Sequence, residues 1–193
     1  MVYKPFGVMS QFSAVEGKKV LSDVFKLPKD VYPLGRLDAD SEGLLIISND
    51  KQLNYRLLNP IHQHERTYFA QVEGLINEEA LETLRAGVTV SIDGKQYATL
   101  PCKAEEIPEP THLPERNPPI RFRASIPTSW VKLTLTEGKN HQVRKMTASV
   151  GFPTLRLVRI AIVNLQIGTL KPGEVLAMEK VELYKKLGLM SVK

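Results

Sequence analysis

The run Gly43–Ser48 (GLLIIS) is apolar and of strand length, and an acid-rich turn leads directly into it. A run of this kind has no polar face to offer water, so it predicts a central strand covered on both sides. Asp50 follows as an N-cap for a helix whose buried stripe is Leu53, Leu57 and Leu58, and Asn59-Pro60 stops that helix. The remaining strands read as Met1–Lys4, Arg66–Glu73, Val88–Ile92, Gln96–Thr99, Trp130–Thr136 and Leu155–Leu165. In Arg66–Glu73 the alternation places Tyr68, Ala70 and Val72 on one side. Asp93-Gly94 signals a tight hairpin. Short helices are predicted at Val20–Phe25, from Asn77 to Gly87, from a cap at Asn140 through Val150, and at Val181–Leu187. Residues 101–127 hold seven of the thirteen prolines and read as mostly loop with short extended pieces. Several connections are too short for crossover helices, so the sheet is expected to be mixed and largely antiparallel, in an α+β fold with short flanking helices.

At 193 residues the chain is expected to form one domain, divisible into lobes at roughly residues 1–65 and 66–193. Cys102 is the sole cysteine, which excludes a disulfide scaffold. Strictly apolar runs such as Leu44–Ile47 reach four residues, far short of a membrane span. The N-terminal MVYKPFGVMS lacks the pattern of a signal peptide. A soluble, cytoplasmic monomer is the expectation.

Charge is unevenly spread. Residues 111–160 carry nine Lys and Arg against two acids, more than the net +5 of the entire chain. These basic residues are interleaved with Phe122, Trp130 and His141, which suits either a polyanion-binding face or a solvated basic surface.

The turn before the buried strand reads Gly-Arg-Leu-Asp-Ala-Asp-Ser-Glu-Gly, with Asp38, Asp40 and Glu42 at alternating positions. A calcium loop of the EF-hand type would need a bidentate glutamate where Asn49 stands. A paired-carboxylate glycosidase would want a broad set of sugar-stacking aromatics, and the aromatic content is 7%. A solvated turn whose acids cap backbone amides is equally consistent with the spacing. His62 and His64 have no partner pair at metal-ligand spacing, and no phosphate-binding glycine loop occurs. No metal site is expected.

The residues Gly35–Leu45 (GRLDADSEGLL) resemble the hallmark motif of RNA pseudouridine synthases, in the branch that modifies ribosomal RNA. Lys4-Pro5-Phe6-Gly7 is similar to that family's first motif, and Arg66–Val72 to its tyrosine-bearing strand, with Arg66 where lysine is usual. Glu137–Met146 (EGKNHQVRKM) resembles the third motif, and Gly151–Leu157 extends the likeness. The segments Asn117–Arg121 and Ser125–Trp130 are similar to a short member acting on large-subunit RNA. Lys4 lies three residues from Met1, so the S4 RNA-binding domain that most relatives carry is not expected here.

The resemblance implies a pseudouridine synthase fold with an active cleft across its sheet, and isomerisation of uridine in ribosomal RNA without a cofactor. It implies Asp38 as the catalytic carboxylate, Arg144 as the guanidinium that holds it ionised, and Tyr68 as either a ring to stack on the uracil or a hydroxyl to move a proton. Gly35 and Gly43 would shape the turn. Arg36 would bind phosphate or brace the loop, and Arg121, Arg123, Lys139, His141, Lys145, Arg156 and Arg159 are candidate RNA contacts. A transfer RNA substrate and a non-catalytic RNA-binding role on the same fold stay open at this point.

Overall fold

The Gly43–Ser48 run does form a buried strand, and the rest of its unit is assembled around it. In the computed structural model, which describes residues 1–120 and 126–190, the first half of the chain comprises β1 (Val2–Lys4), β2 (Val8–Met9), β3 (Lys19–Val20), β4 (Tyr32–Leu34), β5 (Glu42–Ser48), α1 (Lys51–Leu58), β6 (Arg66–Glu73) and α2 (Glu78–Ala86). Then come β7 (Thr89–Ile92), β8 (Lys95–Ala98), β9 (Lys103–Ile107), β10 (Thr128–Leu135), α3 (Gln142–Ser149), β11 (Thr154–Ile162), β12 (Leu165–Gln166) and α4 (Lys180–Lys186). The chain divides into two units, one of residues 1–64 with 158–193 and the other of residues 65–157. The fold class is α+β, with mostly antiparallel pairing. Among the described residues no helix is long and apolar enough to cross a membrane.

In the first unit β5 is the organising strand. It pairs antiparallel with β1 (Val2 opposite Leu45) and with β4 (Leu34 opposite Ile46), and in parallel with β11 (Arg159 opposite Gly43). Leu44, Leu45 and Ile46 are almost wholly buried, and Leu45 packs in a cluster with Val2, Val8, Leu21 and Phe25. The helix expected at Val20–Phe25 is instead the end of β3 and one 3₁₀ turn, Leu21–Asp23. The Asp23 carboxylate draws the Val20 amide back to 2.8 Å, and so short a segment favours the tighter winding.

Asp50 caps α1 as expected, accepting from Gln52 N at 3.0 Å and Leu53 N at 3.1 Å. Its other oxygen accepts from the Tyr184 hydroxyl at 2.8 Å and pairs with Lys180 Nζ at 2.8 Å, tying α1 to α4. The Lys180 hydrogen bond is the leading reason that the Asp50 carboxyl is pulled down to about 2. Its folded-state value thus lies below the ordinary 3.8, so its contribution is complete above about pH 4 and fades as pH falls toward 2. Lys180 is 66% exposed, which leaves the cap and the Tyr184 bond as the main losses on substitution. Asp50→Ala is therefore expected to cost about 1–2 kcal/mol in urea titration at pH 7 and to flatten the acid limb of the stability curve.

In the second unit β10 lies between β6 and β9, both antiparallel to it. Ala70, Val72, Val131, Leu133 and Leu135 form the sheet's core face, and Leu81 and Leu84 of α2 and Met146 of α3 cover it. Asn77 caps α2 through Ala80 N, and Asp93-Gly94 turns the β7–β8 hairpin. One of the short extended pieces expected within residues 101–127 is the strand Lys103–Ile107, bounded by prolines at 101 and 108. One expectation changes here. Asn140 does not cap α3: its side-chain amide donates to Asp93 Oδ1 at 3.1 Å, and His141 occupies the cap position in a left-handed conformation (φ 51°).

Candidate active site

The turn that carries Asp38 runs from the end of β4 to the start of β5, and its backbone is held at successive residues. The carbonyl of Arg36 lies 3.5 Å from Arg159 Nη1. Leu37 N donates to Ser10 Oγ at 3.0 Å, and Ser10 Oγ donates to Leu37 O at 2.7 Å. The carbonyl of Asp38 accepts from Ser41 N at 3.0 Å, while that of Ala39 accepts from Gly7 N at 2.7 Å and lies 3.4 Å from Lys4 Nζ. Asp38 itself is half-buried, Arg36 is exposed, and Ser41 and Glu42 are buried.

Lys4 is fully buried beneath this turn. Its ammonium also donates to Val8 O at 2.6 Å and Pro5 O at 3.0 Å, so a cation removed from water is compensated by three carbonyls. Burial pushes its pKa down to about 8, against the opposing attraction of Glu42, Asp40 and Asp38, with Arg159 adding to the depression. All three acids of the turn favour the charge on Lys4, and Glu42, the largest of these influences, is buried and not a solvated cap. Gly43 closes the turn with φ +106°, in parallel register with Arg159. A β-carbon there would stand 2.3 Å from the Arg159 carbonyl oxygen.

In the other unit Tyr68 is half-buried on the core side of β6, opposite Leu133, and packs against the sheet cluster. Arg144 lies on α3, half-buried, its Nη1 donating to Thr154 O at 3.2 Å. The loop before α3 is braced by Glu137. One carboxylate oxygen accepts from the Tyr97 hydroxyl at 2.5 Å, and the other accepts from Gln142 Nε2 at 2.5 Å and Leu100 N at 2.8 Å. That bond raises the Tyr97 phenol above its ordinary value. Gln142 in turn accepts from Lys139 N at 2.9 Å, and Lys139 Nζ sits 4.9 Å from the Tyr97 ring centroid, within cation–π range.

The candidate RNA contacts divide by burial. Lys139 is exposed and Lys145 half-buried on α3, and with His141 they cluster at the start of that helix. Arg156 and Arg159 are buried: Arg156 Nη2 donates to Pro114 O at 2.7 Å and Arg159 Nε to Leu44 O at 2.8 Å. Those bonds are the work of braces. Arg121 and Arg123 lie outside the described residues. Sequence reasoning missed the parts played by Ser10, Glu137 and Tyr97. Glu137 could have been found from its place in the EGKNHQVR motif, whereas Ser10 carries no local signal.

Residues 1–149 match the family described as RNA pseudouridylate synthase. The chain belongs to that family. Uridine-to-pseudouridine isomerisation, implied earlier by motif resemblance, is the activity of this family. Among its relatives, Ribosomal large subunit pseudouridine synthase E of Vibrio parahaemolyticus is 49% identical over 171 residues, covering 89% of this chain and 69% of the relative. The protein of the same name from Xanthomonas axonopodis is 46% identical over 174 residues and covers 89% of each chain. A crystal structure of a pseudouridylate synthase shares the fold, with a TM-score of 0.76 at 24% identity over 96% of this chain and 71% of the other.

Proposed function

We propose that this pseudouridine synthase acts on large-subunit ribosomal RNA and that Asp38 supplies its catalytic carboxylate. The reaction breaks the bond from ribose C1′ to uracil N1 and joins C1′ to C5, the C5 hydrogen leaving as a proton while N1 takes one up. It needs an anion held at the sugar and no redox partner. The observation that carries the reading is the turn within the GRLDADSEGLL motif whose backbone is held on both sides of Asp38, at Leu37 by Ser10 and at Ala39 by Gly7, with the Asp38 side chain half-buried between them. A carboxylate fixed in this way is organised for covalent or general-base work. Tyr68 is assigned to the uracil ring and Arg144 to the positive charge the chemistry requires. Lys139, His141, Lys145 and Arg36 are assigned to RNA phosphates, and Arg121 and Arg123 remain assigned with them from the charge pattern. The substrate class follows the names of the relatives at 46–49% identity. The target uridine has to leave its stack, which costs a few kcal/mol, and phosphate contacts offset part of that.

The test uses large-subunit ribosomal RNA transcribed with 5-tritiated uridine. The protein is expected to release tritium at one or a few positions, and sequencing of modified uridines is expected to show the same sites lost in cells without it. RNA binding with a normal salt dependence but no tritium release would leave only a binding protein. Release from transfer RNA alone would overturn the substrate assignment.

A further inference from the structure

We infer that Ser10 is a positioning residue for the reaction, its single hydroxyl locking the backbone immediately ahead of Asp38. The inference rests on the assignment of Asp38 above. Residues 35–41 belong to neither β4 nor β5, so their buried amides and carbonyls need partners outside a ladder. Leu37 is buried, and both of its backbone polar groups end on one atom, Ser10 Oγ, itself on a residue only 8% exposed. A hydroxyl can accept one bond and donate the other; an alanine can do neither. On the far side of Asp38 the Ala39 carbonyl is taken by Gly7 N and Lys4 Nζ. Asp38 therefore sits between two pinned neighbours, and its Cα cannot shift without breaking one of the pins.

Ser10 also joins the turn to the start of the chain. It directly follows β2, whose Val8 carbonyl accepts from Lys4 Nζ, so the Lys4–Ser10 stretch and the acidic turn form one braced assembly. Releasing the Leu37 pin leaves Asp38 chemically intact but free to wander. A misplacement of about 1 Å lowers the rate of a positioned reaction by up to about a hundredfold without touching the surfaces that bind RNA. That separation of effects marks a positioning residue.

The experiment compares Ser10→Ala and Ser10→Thr with wild type in the tritium-release assay, under steady-state conditions and well below the lowest melting temperature. For Ser10→Ala, kcat is expected to fall by about tenfold to a hundredfold with KM for the RNA within about twofold. Ser10→Thr keeps the hydroxyl and is expected to recover most of kcat. Equal losses in both variants, or a loss confined to KM, would overturn the inference. A second measurement needs no variant: in hydrogen exchange of the wild-type protein, the Leu37 amide is expected to be protected like those of β5. Rapid exchange at Leu37 would overturn the clamp even if Ser10→Ala failed to fold. Full kcat in Ser10→Ala with an inactive Asp38→Asn would refute the clamp alone, whereas full activity in Asp38→Asn would refute the assignment on which it depends.

Discussion

Asp38→Asn is expected to abolish pseudouridine formation while the protein still folds and still binds RNA. The bonds described at Arg36, Leu37, Asp38 and Ala39 engage their backbone, from Ser10, Lys4, Arg159, Gly7 and Ser41, and an asparagine at 38 leaves each of these in place. Asparagine keeps the size and polarity of the side chain. Lys4 retains Glu42, the larger of its favourable charges, and Asp40. What is lost is an anion able to act on C1′ or a ribose proton, and removing a nucleophile or base of this kind costs at least about a thousandfold. Tritium release from 5-labelled RNA measures the loss, and filter binding checks that affinity is kept within a few-fold. A variant that turned over at the wild-type rate would show that another group does the chemistry.

Gly43→Ala is expected to be strongly destabilising. Its φ of +106° is in the region that side chains avoid, and the added carbon would lie 2.3 Å from the Arg159 carbonyl oxygen and 2.8 Å from the Arg159 amide nitrogen. Those atoms are backbone, held in the parallel ladder opposite, so they cannot swing aside as the tip of a flexible side chain would. Strain of this kind costs about 1–3 kcal/mol, and forcing the ladder apart adds to it. A total of at least about 3 kcal/mol corresponds to a fall in Tm of roughly 6–12 °C for a chain of this size. Gly7→Ala is the control. It also has positive φ (+78°), but nothing stands within 4 Å of the added carbon, so only the strain remains. Calorimetry that found the two variants equally stable would contradict the close approach of β5 to β11.

Patterns confined to a few neighbouring residues were legible in the sequence. The alternation of Arg66–Glu73 gave β6 its bounds, Asp93-Gly94 gave the hairpin, and Asp50 and Asn77 gave two helix starts, because each depends on adjacent side chains. Patterns that depend on distant partners were not. Short extended pieces were expected within residues 101–127, but that Lys103–Ile107 is one of them depends on its pairing with residues 130–134. Asn140 surrendered its capping role to a partner 47 positions away. Arg156 and Arg159 look like members of a basic surface until the strand that holds them is seen to be covered. At the candidate site the motif drew attention to Asp38, yet nothing near Ser10 in the sequence announces a hydroxyl whose partner lies 27 residues on.

The strand β11 starts among residues of the second unit and finishes among those of the first, where it meets β5 in parallel. The first unit is thus a discontinuous body whose two parts are separated by the whole of residues 65–157. During synthesis the edge of β5 that receives Val158 and Arg159 has to wait until the intervening residues have emerged from the ribosome. Parallel pairing over so long an interval carries a large loop-closure entropy and slows maturation. The contiguous stretch 65–157 has no such wait, so its hydrophobic nucleus is free to consolidate earlier. The Arg159 brace on the acidic turn is accordingly among the last features to be installed, which makes the finished turn of the candidate site a late product of maturation.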